Sequence, residues 1–245
     1  MSLSLKLRTV LFSVYRWGCC VLVLIGSLDF MDHRLLADTP ATAAPPAPAV
    51  ELEPGFEWLF DGKTLTGWEG KLAWFRIEQD AIVAGSLKEK IPNNEFLCTR
   101  ENFGDFELRL QVRLEGAGNN AGIQFRSARI PNHHEVSGYQ CDVGAAFGRS
   151  VWGALYDESR RKKMLAEGPA DDVARWTKAG EWNELWIRCE GERVRLWLNQ
   201  HLTVDYRETD ASIARQGIIG LQIHSGPPTE AWYRAIRIRK LPSGS

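Results

Sequence analysis

The sequence lacks the features that mark several large classes of protein. Its 245 residues carry a formal net charge of −1, so no overall field draws the chain to nucleic acid or to an anionic membrane. It contains no GxSxG nucleophile elbow, no phosphate-binding loop and no dinucleotide-binding fingerprint. These absences argue against nucleic-acid binding, nucleotide-dependent chemistry and hydrolases of the nucleophile-elbow type.

Cysteine is scarce, and its positions indicate no chemistry. Cys19 and Cys20 lie in an N-terminal apolar run, which leaves Cys98, Cys141 and Cys189. Three cysteines cannot close a disulfide framework, and no CxxC pair indicates a zinc site. Because each of the three falls in a strand-like segment, we predict that they are small buried apolar residues.

Long apolar runs are also missing, except for one near the N-terminus. Lys6, Arg8 and Arg16 precede an apolar run from Trp17 to Leu28, roughly a dozen residues, which is signal-peptide length. This run falls short of the ~20 residues that span a bilayer. We therefore predict a signal peptide or N-terminal anchor over residues 1–37 and an extracytoplasmic domain, periplasmic or secreted. The small-residue sequences that follow are distant or poor cleavage sites, so an uncleaved membrane anchor remains the alternative.

One linker and one domain follow the apolar run. Residues 38–54 read DTPATAAPPAPAVELEP, a Pro/Ala-rich composition that stays extended and buries no core. Residues 55–243 show no second boundary and no repeat of fixed period. Hydrophobic residues make up 44% of the chain, which is enough for one sizeable core. We predict a single domain over residues 55–243.

The periodicity of this domain is that of β-strands. Apolar and polar residues alternate without a fault from Phe106 to Leu114, and shorter alternating runs lie on both sides. Gln79-Asp80 and Asn199-Gln200 separate pairs of such runs and predict turns. The stretch from Ser159 to Ala174 is expected to be a short helix or a long loop. Many short strands punctuated by glycine and asparagine predict an all-β fold, an antiparallel β-sandwich or jelly roll.

Three of the predicted strands carry pairs of polar residues in phase. Side chains at i and i+2 lie on one face of a strand, so apolar neighbours in the core leave these polar residues on the other face. The polar residues are Gln124, Arg126, Gln140, Asp142, Gln222 and His224. If the three strands are neighbours, this set combines a cation, a carboxylate and an imidazole, which together can bind hydroxyls, stabilise an oxyanion and move a proton. The alternative is an ordinary solvated sheet face.

Two further segments are candidates for the rim of that site. His133 and His134 belong to the sequence PNHHE, and Tyr156, Asp157 and Arg160 belong to a dense charged stretch. Histidine titrates near neutral pH, so a loop above the sheet can supply a base. We predict these residues at the edge of the polar face; solvated loops are the alternative.

Several short motifs resemble those of the 3-keto-disaccharide hydrolase domain family. They read LFDGKTLTGW at 59–68, NAGIQFR at 120–126, GEWN at 180–183, LN at 198–199, GIIGLQIH at 217–224 and RAIRI at 234–238. The resemblance extends from about Glu57 to Leu241. Each motif is short, but their order and spacing together are specific.

The resemblance implies a jelly-roll sandwich related to laminin-G and concanavalin A-like folds. It implies glycosides oxidised at C3 as substrates, and therefore a glycoside 3-oxidoreductase acting upstream. A C3 carbonyl acidifies the C2 proton, so a base can form an enolate, the C1 aglycone can leave, and water can add to complete a net hydrolysis.

The resemblance also implies site residues, with one departure from the family pattern. The family's Arg and Gln/His positions match Arg126, Gln222 and His224. Its Gly-Tyr-Glu-x-Gln strand aligns with a segment in which Gln140 replaces the glutamate and Asp142 replaces the glutamine. A base at the glutamate position is thus missing, and Asp142 on the same face is the candidate substitute.

These matches suggest a division of roles. We assign Arg126 to the enolate, Asp142 or His134 to proton abstraction, and His224 to the acid or to a metal ion. A divalent metal ion is the alternative to a cationic side chain for the enolate. The predicted substrate contacts are Gln124, Gln140, Gln222, Tyr156, Asp157, Arg160 and His133.

Two functions of other classes remain open because a fold does not fix a function. One is a non-catalytic carbohydrate-binding module, and the other is a structural or cell-surface interaction domain. Titratable groups gathered in one pocket favour the enzyme, whereas tryptophans on an open face favour the binding module.

Overall fold

A computed structural model describes residues 50–242 of the chain. These residues form two antiparallel sheets packed face to face, so the predicted β-sandwich is confirmed. The predicted signal peptide or anchor over residues 1–37, and the linker as far as residue 49, lie outside the described residues.

The first sheet, sheet A, contains the strand with the strongest alternation. Its strands are β1 (Glu57–Trp58), β3 (Phe75–Glu78), β4 (Ala81–Ser86), β6 (Phe106–Gly116), β12 (Asn183–Glu190), β13 (Arg193–Leu198), β14 (His201–Arg207) and β16 (Thr229–Lys240). They lie in the order β14-β13-β12-β6-β16-β4-β3, with β1 paired to β16.

The second sheet, sheet B, contains the strands with paired polar residues. Its strands are β2 (Trp68–Glu69), β5 (Glu95–Thr99), β7 (Asn120–Arg129), β8 (Val136–Ala146), β9 (Arg149–Ser150), β10 (Leu155–Glu158), β11 (Lys163–Ala166) and β15 (Ile218–Ile223). They lie in the order β11-β10-β8-β7-β15-β5-β2, with β9 paired to β8. The strands β8, β7 and β15 are therefore direct neighbours, as the polar pattern requires.

The core lies between the sheets and is built from alternate residues of each strand. On β6, Phe106, Leu108, Leu110 and Val112 are fully buried. Gln79 and Asp80 both have positive φ, at 49° and 56°, and connect β3 to β4. Two left-handed residues match the right-handed twist of the flanking strands, so the predicted hairpin is confirmed.

Replacing Leu110 by alanine should lower the free energy of unfolding by about 2–5 kcal/mol, because a fully buried side chain is truncated in a packed core. Gln111→Ala, on the same strand and half-buried on its other face, is the matched control and should lower it by much less. Urea unfolding of both variants measures the difference. Equal losses would contradict the assignment of Leu110 to the core.

The segment from Ser159 to Ala174 contains more regular structure than was expected. It forms edge strand β11 and the start of a helix, α1 (Ala170–Trp176), whose buried residue is Val173. As an edge strand, β11 buries little of its surface, so its residues do not alternate clearly between apolar and polar. The charged residues before it make the strand harder to recognise in the sequence. Within residues 50–242, no helix is long and apolar enough to cross a membrane.

Two smaller expectations concern the cysteines and the linker. Cys98, Cys141 and Cys189 are each fully buried and unpaired, as predicted. Glu53, near the end of the predicted linker, already belongs to the folded part, since Arg237 donates hydrogen bonds of 2.7 Å to both of its carboxylate oxygens.

Candidate active site on the outer face of sheet B

The outer face of sheet B carries most of the polar residues predicted to gather. Gln124 on β7 lies opposite Gln140 on β8, and Gly122 lies between Asp142 on one side and Gln222 on the other. Their neighbours Ile123, Cys141 and Leu221 belong to the core. Three amides and one carboxylate therefore lie in two adjacent rows across three strands.

A chain of hydrogen bonds ends on the Asp142 carboxylate. Ser127 Oγ donates to Gln124 Oε1 at 2.8 Å, and Gln124 Nε2 donates to Gln140 Oε1 at 2.7 Å. Gln140 Nε2 then donates to Asp142 Oδ1 at 2.6 Å. Each amide is held in one orientation by its neighbours, so Gln140 presents an N–H to Asp142 and fixes the position of the carboxyl group.

Gly122 provides the space for this arrangement. A Cβ atom at Gly122 would come within 2.4 Å of Gln140 Cδ. No side chain fits there, because Gln140 lies across the strand at this position. The glycine of the NAGIQFR motif is thus required for this series of hydrogen-bonded side chains.

Asp142 is a carboxyl group suited to proton transfer near neutral pH. Burial raises its pKa to about 7, and the charges of Glu158 and Glu167 act in the same direction. The hydrogen bond from Gln140 opposes this rise but does not cancel it. A base is most effective when its pKa is close to the working pH.

The hairpin of β7 and β8 is kinked over this polar face. Arg126 and Ser127 form a bulge with Arg126 at φ 45°, and Gly138 opposite them has φ 152°. A Cβ atom at Gly138 would lie 2.2 Å from Ser127 Oγ, so the close approach requires glycine. Beyond the kink, Val136 packs on the outward-facing side chain of Phe96. The hairpin tip, defined here as residues 130–135, therefore lies over sheet B.

Asn94 fastens the hairpin tip to the far end of the sheet. Its side-chain Nδ2 donates to Glu135 Oε1 at 3.0 Å, and its Oδ1 accepts from the backbone N–H of Ser225 at 2.8 Å. Its backbone oxygen lies 3.1 Å from Nδ1 of His134. One residue thus joins the tip to the segment that follows β15.

A cleft of about 480 Å³ opens between the hairpin tip and β10. This volume is within the range of small-molecule sites and accommodates a sugar ring. Its walls are Ile130, His133, Glu135, Tyr156, Glu158, Ser159 and Lys162. Burial raises the pKa of Glu158, and the nearby charge of Glu135 raises it further, whereas His224 lowers it.

Two side chains at this site have buried polar atoms without partners among the described residues. Both amide atoms of Gln222, whose residue is fully buried, lack a hydrogen bond, and so does Oε2 of Glu135. Buried polar atoms in proteins almost always have partners. Gln222 and Glu135 are therefore the groups with unused capacity to bind a ligand.

The predicted place of Arg126 is wrong. Its guanidinium donates to Asp105 Oδ1 at 2.7 Å and to the backbone oxygens of Gly104 and Gly191, which lie at one end of sheet A. The bulge inserts one residue and breaks the i, i+2 phase after Gln124, so Arg126 turns away from the polar face. It is a buried structural ion pair and not part of the candidate site.

Asp157 and Arg160 are also absent from the site rim, contrary to prediction. Asp157 is fully buried, and Arg160 and Arg161 both bond its carboxylate. Arg161 also donates to Glu208, which accepts the Tyr139 hydroxyl at 2.6 Å. Asp157 follows Tyr156 on β10, so it faces the opposite side of the sheet and joins a structural ionic network there.

The histidines take three different places. His224 holds Nδ1 2.7 Å from the backbone oxygen of Ser225, which leaves Nε2 for other contacts. His133 lines the cleft beside Glu158, and its ring stacks on His134 at 4.4 Å. His134 lines a second cleft, together with His133, Glu95 and Phe96, and is not among the residues that line the cleft of Glu158.

The donor set does not fit a metal ion. Within residues 50–242, no three histidine, cysteine, aspartate or glutamate side chains are arranged to hold one. No step of the proposed chemistry is therefore assigned to a metal.

Sequence reasoning missed Glu158, Glu135 and Asn94. Glu158 is two residues after Tyr156 on the same strand, so the two-residue period of a strand places both on the outer face. This period could have indicated Glu158 from the sequence. Glu135 and Asn94 gave none, because their positions depend on the kink that folds the hairpin tip over the sheet.

The chain was compared with known proteins by sequence and by fold. The sequence model of one family, the 3-keto-alpha-glucoside-1,2-lyase-like domain, matches residues 55–239. No curated protein matches the chain in a sequence comparison.

Several solved structures share the fold. A candidate glycosyl hydrolase from Parabacteroides distasonis ATCC 8503 is 17% identical, with a TM-score of 0.56 over 77% of this chain and 94% of that one. The carbohydrate-binding module CBM66 from Bacillus subtilis is 16% identical, with a TM-score of 0.52 over 70% and 94%. A galectin-like protein of unknown function from Bacillus subtilis is 13% identical, with a TM-score of 0.53 over 74% and 92%. At these identities the likeness shows a lectin-like jelly-roll fold.

Proposed function

The chain belongs to the family of 3-keto-alpha-glucoside-1,2-lyase-like domains, and from that premise we propose that it cleaves glycosides oxidised at C3. The reaction would remove the C2 proton, expel the C1 aglycone and add water, which amounts to hydrolysis. A glycoside 3-oxidoreductase would supply the substrate.

One observation carries the proposal: a carboxyl group with a pKa of about 7 and an amide without a partner lie on the outer face of sheet B. The hairpin tip over this sheet carries further titratable groups. Asp142 supplies the carboxyl group and Gln222 the amide. Proton abstraction next to a carbonyl needs a base of this kind, and hydroxyl recognition needs polar groups with unused capacity.

Asp142 is the proposed base. Its carboxylate is held by Gln140, so it meets the C2–H group without reorganisation, and burial keeps its proton affinity high. The chain therefore carries its base two residues after the glutamate position of the family strand.

His224 replaces Arg126 as the proposed partner of the enolate oxygen. Because its Nδ1 faces the Ser225 carbonyl, its Nε2 is the nitrogen that can donate to a ligand when the ring is protonated. A donor aimed at developing negative charge is the usual way to stabilise an enolate.

Export of the domain is also part of the proposal. It is supported by the charged start and short apolar run of residues 1–37, and an oxidised sugar outside the cytoplasm would then be the substrate. A membrane contact through an uncleaved segment is the alternative form of the same proposal.

A binding module is the competing function, and the surroundings of two tryptophans disfavour it. On the outer face of sheet A, Arg234 lies 3.9 Å from the ring centre of Trp182, and Arg109 lies 4.1 Å from that of Trp186. These rings are covered by guanidinium groups and are not open platforms for stacking sugars.

Incubating the purified mature domain with a 3-keto-glucoside should release the aglycone, with transient formation of a product unsaturated between C1 and C2. Chromatography of the aglycone and absorbance of the enone measure both. The matched unoxidised glucoside is the control and should remain intact, because its C2 proton is not acidic. Tight binding of the 3-keto-glucoside without any turnover would support the binding module instead.

A further inference from the structure

We propose that Glu158 is the general acid of this reaction, delivering a proton to the oxygen of the departing aglycone. The inference rests on the proposed function and adds a catalytic residue to it. Glu158 is the last residue of β10 and lies opposite Gly138, which has no side chain to obstruct it.

The surroundings of Glu158 leave one of its oxygens toward the cleft. Ser159 donates its backbone N–H to Glu158 Oε1 at 3.0 Å, and its hydroxyl lies 3.4 Å from the same atom. Among the described residues, no hydrogen bond involves Glu158 Oε2. This half-buried carboxyl group lines the cleft together with Glu135 and Tyr156.

The surroundings of Glu158 raise its proton affinity. Burial and the carboxylate of Glu135 raise the pKa of Glu158, whereas His224 lowers it, and the hairpin tip that carries Glu135 is fixed by Asn94. A general acid must hold its proton until the leaving group needs it.

Asp142 and Glu158 lie on either side of Tyr156 and can serve different atoms of one sugar. Tyr156 is opposite Gln140 in the sheet; burial raises the pKa of its hydroxyl, and the charges of both carboxyl groups raise it further. The sugar carbons to be served, C2 and C1, are adjacent. A base at Asp142 and an acid at Glu158 match a reaction that removes a proton at C2 and adds one to the oxygen on C1.

The steps balance. The C2–H bond breaks, its proton goes to Asp142, and its electron pair forms the enolate. The C3 carbonyl then re-forms, C1 and C2 become doubly bonded, and the C1–O bond breaks with its electron pair on the aglycone oxygen. That oxygen takes the proton of Glu158. Water then adds at C1, giving one proton to Glu158, while Asp142 returns its proton to C2.

Glu158→Gln tests this assignment with two substrates. One is a 3-keto-glucoside with a p-nitrophenyl aglycone, which leaves without protonation, and the other has an alkyl aglycone, which does not. Glu158→Gln should lower release of the alkyl aglycone by about 10²–10⁴-fold, the usual contribution of a general acid, and change p-nitrophenol release much less. Exchange of the C2 proton with deuterium in D₂O should persist. Glu115→Gln, a carboxylate on sheet A paired with Arg113, is the matched control.

The outcomes separate the two proposals. Equal losses on both aglycones, or no loss on either, would overturn the role of Glu158 while the wild-type protein still turns over. Absence of both C2 exchange and aglycone release in the wild-type protein would instead overturn the proposed function. Thermal unfolding of Glu158→Gln shows whether the variant is folded, and Glu158→Asp, which retains a proton donor, should restore part of the alkyl activity.

Discussion

Replacing Asp142 by asparagine should lower turnover of a 3-keto-glycoside by about 10²–10⁴-fold, because the base that removes the C2 proton is lost. Deuterium exchange at C2 should be lost with it, which distinguishes this variant from Glu158→Gln. Asparagine keeps the oxygen that accepts from Gln140, so the hydrogen-bond chain is retained. In the wild-type protein, kcat/KM should rise with pH up to about 7, where the Asp142 carboxyl loses its proton.

The same replacement should stabilise the domain at alkaline pH. Burial raises the pKa of Asp142 from 3.8 to about 7 in the folded state, so the unfolded chain gives up this proton first as the pH rises. The contribution of Asp142 to stability is thus fully present below about pH 4 and lost as the pH rises through 7. Holding the charged form buried at pH 8 costs roughly 4 kcal/mol.

Thermal unfolding at two pH values checks this. Asp142→Asn should unfold at a higher temperature than the wild-type protein at pH 8 and at about the same temperature at pH 4. Gln140→Glu is an informative control, because it places a second carboxylate beside Asp142 and should lower stability at pH 8. A variant that loses activity and also loses stability at pH 8 would mean that Asp142 is charged and structural.

Replacing Arg126 by alanine should destabilise the domain by about 3–5 kcal/mol, because one partner of a buried ion pair is removed. The side chains of Arg126 and Asp105 are 2% and 9% exposed, so water cannot replace the guanidinium group. The backbone oxygens of Gly104 and Gly191 lose their donor as well. For a domain of this size the melting temperature should fall by roughly 10 °C.

Arg149→Ala is the matched control for Arg126→Ala. Arg149 also pairs with a carboxylate, that of Glu167, but both side chains are about 40% exposed, and such pairs contribute about 0–1 kcal/mol. Below its melting temperature, Arg126→Ala should retain most of its activity. A folded, stable Arg126→Ala protein without activity would instead mean that Arg126 takes part in catalysis.

The sequence predicted the fold and the sheet face well, because both depend on local alternation. The pattern from Phe106 to Leu114 determines which side of β6 is buried, and the motif spacing indicates the family. The prediction of a polar face required β8, β7 and β15 to be neighbours. Alternation alone could not show this, since the order of strands in a sheet is set by packing between distant segments.

The residues that were misplaced share a physical cause. Arg126 lies in the bulge, so the side that it faces depends on one inserted residue that leaves no mark in the alternation. Asp157 sits among charged residues yet faces the buried side of its strand. Glu135 reaches the site only because the hairpin is folded back, and composition gives no indication of such a fold.

The bulge in β7 also changes which residues of that strand face the polar side of sheet B. Up to Gln124 the even-numbered residues face the polar side, and from Ser127, whose hydroxyl bonds Gln124, it is the odd-numbered ones. In a library that samples every substitution along β7, polar residues should therefore be tolerated at even-numbered positions before residue 125 and at odd-numbered positions from residue 127. Deleting Arg126 would remove that change and leave Ser127 on the polar side, as the second residue after Gln124, so the extra residue serves the turn of Arg126 toward Asp105 and not the facing of the rest of the hairpin.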